Sequence, residues 1–219
     1  MKGVPEDFIR VSAEQGLSPE EAGQQYPLAC LLRDNVLKRQ RDDLLFVGVA
    51  GSQGSGKSTL TAQLEWLLQD AGIVCASTSI DDFYLTRAER EALADKVHPL
   101  FLTRGVPGTH DIRLLARCLE QLRAGESVAL PQFDKLLDDR RREAVHTAAG
   151  VNIFLLEGWC VGAPPLDPAS LKEPLNQLEA EEDLECQWRA GVAAALASDA
   201  YQQIFASMQY LDRKSTRLN

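Results

Sequence analysis

Eight residues constrain this chain more than any others: Gly51-Ser52-Gln53-Gly54-Ser55-Gly56-Lys57-Ser58, with the spacing G-x-x-x-x-G-K-S. Just before them runs Leu44-Leu45-Phe46-Val47-Gly48-Val49-Ala50, apolar enough for a strand buried on both faces. Just after them, the stretch from Thr59 to Leu68 carries apolar residues at helical spacing. Strand, glycine loop and helix in that order make a phosphate cradle. Glycine lets the backbone curl until successive N–H groups face phosphate oxygens, and the helix N-terminus adds partial positive charge. Gly51 through Thr59 are therefore the expected binding segment for a nucleoside triphosphate. Lys57 is placed to reach the β- and γ-phosphates, and the Ser58 hydroxyl to ligate Mg²⁺.

Two further runs read as strands, residues 73–80 and 151–156, and helical patterns separate them. That alternation predicts an α/β fold in three layers, a parallel sheet flanked by helices, here a P-loop NTPase fold. Ser18, Pro19 and Glu21 mark a helix start, and Thr86 with Glu89 marks another, running to about Asp95. Residues 28–42 place Leu28, Leu31, Leu32, Val36 and Leu37 on a helix packed against the core. Residues 97–109 read as a loop. Asp111 is set to cap a helix whose apolar face is Ile112, Leu115, Cys118, Leu119 and Leu122. Residues 128–133 read as extended. Two long helices are expected over 168–191 and 192–210, with the charged stretch 179–185 as a solvated face.

The chain has 219 residues, 45% of them hydrophobic, enough for one α/β domain with a sizeable core. A net charge of −9 repels nucleic acid and anionic membrane, so neither is an expected partner. The five cysteines are scattered and lack metal-site spacing, which points to reduced thiols and a cytoplasmic setting. No apolar run approaches the ~20 residues that span a bilayer.

The second strand ends in Asp81-Asp82, where ligands of open α/β sheets bind. Of two acids there, one can take a proton from an attacking hydroxyl and the other can hold a Mg²⁺-bound water; either could instead cap the next turn. The third strand ends in Glu157, placed to orient Mg²⁺ directly or through water, or else to form a salt bridge. Residues 104–111 offer Arg104, His110 and Asp111 to an anionic or polyhydroxy acceptor; His110 could equally precede the helix as a capping residue. Lys135 adds a cation after the extended segment. Arg140-Arg141-Arg142 reads as a solvated turn.

Gly51 to Thr59, Ser79-Ile80-Asp81-Asp82-Phe83-Tyr84, Arg104 through Asp111, Pro131 through Lys135 with Asp138-Asp139-Arg140, and Leu156-Glu157-Gly158-Trp159-Cys160 together resemble the phosphoribulokinase/uridine kinase branch of P-loop kinases. Within it the chain is most similar to D-glycerate 3-kinases of the plant and fungal type and their bacterial relatives. The resemblance implies ATP with Mg²⁺, a small-molecule hydroxyl acceptor, Asp81 as catalytic base beside Lys57, and Asp82 supporting metal or substrate. D-glycerate is the leading acceptor, with Arg104 and Lys135 available to its carboxylate. A nucleoside, pantothenate or another metabolite remains open, as does nucleotide binding without phosphotransfer. Family chains continue for several tens of residues, so the expectation is a sheet lacking its last strand and helix. The domain reading is a helical segment over 1–43 packed on the core, a kinase domain over 44–211, and a non-native tail over 212–219.

Overall fold

Along the apolar runs successive side chains are buried on opposite faces, and that alternation of face builds the layers. In the computed structural model, which describes residues 3–214, strand β1 (Leu45–Gly51) sends Leu45 and Val47 to one core and Phe46 to the other. Strand β7 (Ile153–Gly158) does the same with Ile153 and Leu155 against Phe154 and Leu156, and β2 (Cys75–Ser79) with Cys75 against Ala76. Side chains of successive strand residues point to opposite faces, so each strand serves two cores. With β8 (Tyr210–Lys214) these strands form a parallel sheet in the order β2-β7-β1-β8.

One face is covered by α1 (Glu6–Glu14), α2 (Pro19–Leu37) and α3 (Lys57–Asp70), through Phe8, Ala29, Leu32, Val36, Leu60, Leu64 and Leu67. The other face carries α5 (Ile112–Arg123) and α8 (Asp199–Ala206). This is the expected three-layer α/β arrangement. Between β2 and α5 stands α4 (Arg87–Lys96). The stretch between α5 and β7 forms two small ribbons: β3 (Ala129–Leu130) pairs with β6 (Val145–His146), and β4 (Phe133–Asp134) with β5 (Asp139–Arg140). Two helices, α6 (Gln177–Glu182) and α7 (Gln187–Ala197), precede α8.

Both capping boxes form: Ser18 accepts from the Glu21 N–H, and Thr86 from the Glu89 N–H. Three expectations change. The two long helices over 168–210 are instead α6, α7 and α8, and Tyr210 opens a strand. That strand docks because Gly48 has no side chain: a Cβ there would lie 2.6 Å from Met208 Sδ and 2.7 Å from a Leu211 methyl. The helix over 28–37 turns Ala29, Leu32 and Val36 inward while Leu28 and Leu31 remain exposed. The charged stretch after Leu178 is not all solvated, since Glu179 and Asp183 are buried, with Asp183 paired to Arg189 at 2.9 Å. Of the expected tail, Asp212, Arg213 and Lys214 pair with β1 as part of β8; residues 215–219 lie outside the described residues.

Candidate active site

Strand register brings the site together. Glu157 of β7 stands opposite Val49 of β1 on one side and Ser79 of β2 on the other. The glycine loop leaving β1, the acid pair following β2 and the acid ending β7 therefore meet at one edge of the sheet, the carboxyl end where open α/β sheets bind ligands.

The loop has the conformation the motif requires. Gly54 and Gly56 sit at φ +73° and +77°, in the left-handed region that costs glycine nothing. A Cβ on Gly54 would meet nothing within 4 Å, so the loop is an open cradle. The N-terminus of α3 begins at Gly56 with no side chain capping it. Its first-turn N–H groups suit an anion. The Ser55 hydroxyl is buried without a partner. Ser58 Oγ donates to Glu157 Oε1 at 2.9 Å, and Lys57 Nζ stands 3.8 Å from Glu157 Oε2. That second carboxylate oxygen is buried and accepts no hydrogen bond. An orphaned carboxylate oxygen beside a hydroxyl and an open phosphate cradle fits a divalent cation held partly by phosphate oxygens. Among the described residues no cluster of three or more acidic, histidine or cysteine side chains builds a metal cage. A cleft of about 280 Å³ opens alongside, lined by Ala50, Gly51, Ser52, Trp159, Val161 and Gly162 among others.

Past β2 the chain makes a 3-10 turn over Ile80–Phe83. The two acids of this turn differ. Asp82 accepts the Phe133 N–H at 3.1 Å and the Ser79 N–H at 3.4 Å, bracketing the end of β2 to β4; burial pushes its pKa up while these two bonds pull against it. It does the capping work. Asp81 accepts the Tyr84 hydroxyl at Oδ1, 2.9 Å away, and Lys135 Nζ at Oδ2, 3.0 Å away.

The remaining expected acceptor residues are all engaged within the protein. Arg104 pairs with Asp138 and donates to the Lys135 carbonyl at 3.3 Å. Asp138 also takes the fully buried Arg90 at 3.0 Å. Burial opposes ionisation of Asp138, but hydrogen bonds from Arg90 and Arg104 prevail and lower its pKa. Asp111 accepts the Leu114 N–H at 2.9 Å as the cap of α5, with Arg140 at 3.5 Å. Arg140 is thus not the solvated turn residue expected. His110, expected on a flexible loop, is 5% exposed and burial pulls its pKa down to about 4. Its Nδ1 lies 2.9 Å from the Tyr201 hydroxyl.

Sequence reasoning passed over Tyr84, Asp138, Trp159 and Tyr201. Tyr84 carried a signal: three residues after Asp81, it eclipses that acid in a 3-10 turn. Trp159 donates its indole N–H to the Gly105 carbonyl at 2.8 Å and so ties the end of β7 to the Arg104 loop. Tyr201, more than 90 residues from His110, left no local signal.

Residues 46–163 match the profile of the Phosphoribulokinase / Uridine kinase family. The chain is 38% identical over 136 residues to the uncharacterized kinase mug58 of Schizosaccharomyces pombe, covering 57% of this chain and 49% of that one. It is 32% identical over 148 residues to the chloroplastic D-glycerate 3-kinase of Arabidopsis thaliana, covering 62% of this chain and 32% of the plant enzyme. The chain thus spans half or less of these relatives' length. Among solved structures, the D-glycerate 3-kinase of Cryptococcus neoformans superposes with a TM-score of 0.68 at 26% identity, covering 87% of this chain and 71% of the fungal one.

Proposed function

The chain belongs to the phosphoribulokinase/uridine kinase family, and from that membership we propose that it is an ATP-dependent kinase that phosphorylates a hydroxyl of D-glycerate. The observation that carries the reading is Asp81. It lies just past the carboxyl end of β2, two residues from the register partner of Glu157, with one oxygen on Tyr84 and the other on an exposed lysine.

Bound MgATP supplies the electrophilic γ-phosphoryl group and the cation that offsets its charge. Gly51 to Thr59 would hold the phosphates, Lys57 would offset the charge of the transferred group, and Ser58 with Glu157 would hold the cation. Asp81 Oδ2 accepts the proton of the acceptor hydroxyl as the new O–P bond forms and the bond to ADP breaks. For the acceptor to reach Oδ2, Lys135 must release it. The freed ammonium is then within reach of an acceptor carboxylate, and Arg104 stands on the same side of the site. A small hydroxy acid fits that exchange better than an uncharged nucleoside does, and the names of the plant and fungal relatives support it.

A coupled ADP-release assay with MgATP, run across D-glycerate, uridine and pantothenate, tests the reading. Glycerate should give the highest kcat/KM. Turnover of uridine or pantothenate without glycerate would move the acceptor assignment, and MgATP binding without turnover of any of them would leave a nucleotide-binding protein.

A further inference from the structure

The Asp81 side chain is 24% exposed. A carboxylate torsion is broad and roughly two-fold, so packing alone does not fix its plane. The Tyr84 hydroxyl supplies the constraint, donating to Oδ1 at 2.9 Å. Tyr84 itself is 4% exposed and held on every side. Its backbone bridges His110, with Leu85 N–H donating to the Thr109 carbonyl at 2.8 Å and Asp111 N–H to the Phe83 carbonyl at 2.6 Å. Its own carbonyl accepts from Arg140 at 2.9 Å. Its ring stacks on His110, with centroids 4.7 Å apart and planes 19° from parallel, and meets Phe133 edge-on at 5.2 Å.

The His110 face is itself fixed. Gly108 N–H donates to the Tyr201 hydroxyl at 3.0 Å, and the same hydroxyl lies 2.9 Å from His110 Nδ1. Burial disfavours the charged form of His110, so the ring meets Tyr84 as a neutral face. The stack thus joins α8, the loop ending at His110 and the turn after β2 into one support.

We propose that Tyr84 is a positioning residue for Asp81: its hydroxyl occupies Oδ1 permanently and turns Oδ2 toward the place where the acceptor hydroxyl must lie. The inference rests on the reading of Asp81 as the proton acceptor. The asymmetry between the two oxygens is on view. Oδ1 faces a buried donor that cannot leave, and Oδ2 faces Lys135, 63% exposed at its side chain and free to exchange.

The test is a double-mutant cycle on the full chain with Tyr84→Phe and Asp81→Asn. Tyr84→Phe keeps the ring and its stack, so the melting temperature should hold. Its kcat should fall about tenfold or more, because misaiming a reacting group is costly, while KM for ATP and for the acceptor stay within about twofold. In the Asp81→Asn background the same change should alter kcat by less than about twofold. Replacing Tyr84 by 3-fluorotyrosine, which keeps both ring and donor, should return kcat to near the parent value even if Tyr84→Phe proves unstable. Full kcat in Tyr84→Phe, an equal loss in both backgrounds, or failure of fluorotyrosine to rescue overturns the positioning role while a large Asp81→Asn loss keeps the base in place. If Asp81→Asn stays within about threefold of the parent, or the parent turns over none of the acceptors, the base reading falls and this proposal falls with it.

Discussion

Ser58, in the first turn of α3, and Glu157, near the end of β7, are joined by a 2.9 Å hydrogen bond, with the hydroxyl donating to one carboxylate oxygen while the other stays buried without a hydrogen bond, 3.8 Å from Lys57 Nζ. That oxygen is the one with a cost to recover, since a buried polar atom that lacks a hydrogen bond is unfavourable by about 1–3 kcal/mol. A cation satisfies it. Glu157→Gln keeps an acceptor for Ser58 and removes the charge. The apparent Mg²⁺ affinity in the ATPase or kinase assay should weaken by about 10–100-fold. A Mg²⁺ titration that superposes on the parent's would place the cation elsewhere.

Lys57 is the only cation in the P-loop segment from Gly51 to Thr59. Lys57→Ala should therefore abolish the rise in melting temperature that MgATP gives the parent. Far-UV circular dichroism should not change, because the substitution removes an ion-pair partner of Glu157 and leaves both hydrophobic clusters intact. A variant stabilised by MgATP as much as the parent would show that the loop does not hold the nucleotide.

Lys135 reports on the charge of the acceptor. Lys135→Met keeps the length of the side chain and removes the ammonium from Asp81. KM for glycerate should rise about tenfold, the worth of an exposed charge contact to a carboxylate in a partly dry site, and KM for ATP should hold. Parallel increases in both constants would assign Lys135 to the nucleotide instead.

His110 makes stability depend on acid. Its folded pKa is down at about 4 against an ordinary value of 6.5. Between those values the unfolded chain takes up the proton and the folded one does not, so stability falls as pH drops from 6.5 towards 4 and levels off below. The loss attributable to this ring is roughly 3 kcal/mol over that window. His110→Phe should be less stable at pH 7, for want of the Tyr201 bond, yet should lose less on acidification. Equal pH slopes in the two proteins would rule the ring out as the source.

Arg90 is fully buried and donates to three carbonyls, Leu85 at 3.3 Å, Leu102 at 2.6 Å and Asp138 at 2.6 Å. Arg90→Met fills the space and orphans all three acceptors. At about 1–3 kcal/mol per orphan the loss should reach ~3 kcal/mol or more, a drop of roughly 6–12 °C in melting temperature. A smaller change would mean that water reaches these carbonyls.

The sheet and the phosphate loop were legible because their rules are local. Burial on both faces makes β1, β2 and β7 continuous apolar runs, and the glycines announce the turn that only they can make. The acceptor side was less legible for the opposite reason. Arg104, His110, Lys135 and Asp111 have the right chemistry to bind a ligand, and sequence shows chemistry but not partners. Asp138, Tyr201, Asp81 and Leu114 claim them from 34, 91, 54 and 3 residues away. β8 was taken for the end of a helix because Met208, Tyr210 and Leu211 fit either period, and the choice was made by the gap over Gly48.

The grip of Arg90 on three separate segments bears on how the fold can be remodelled. The strap after the 3-10 turn, the stretch before Arg104 and the β4–β5 turn are fastened at one point, so none can be exchanged for a foreign loop by itself. Leu136 and Leu137, at the tip of that turn, are 97% and 72% exposed and carry no such obligation. Changes of size or polarity at those two positions leave the fastening intact.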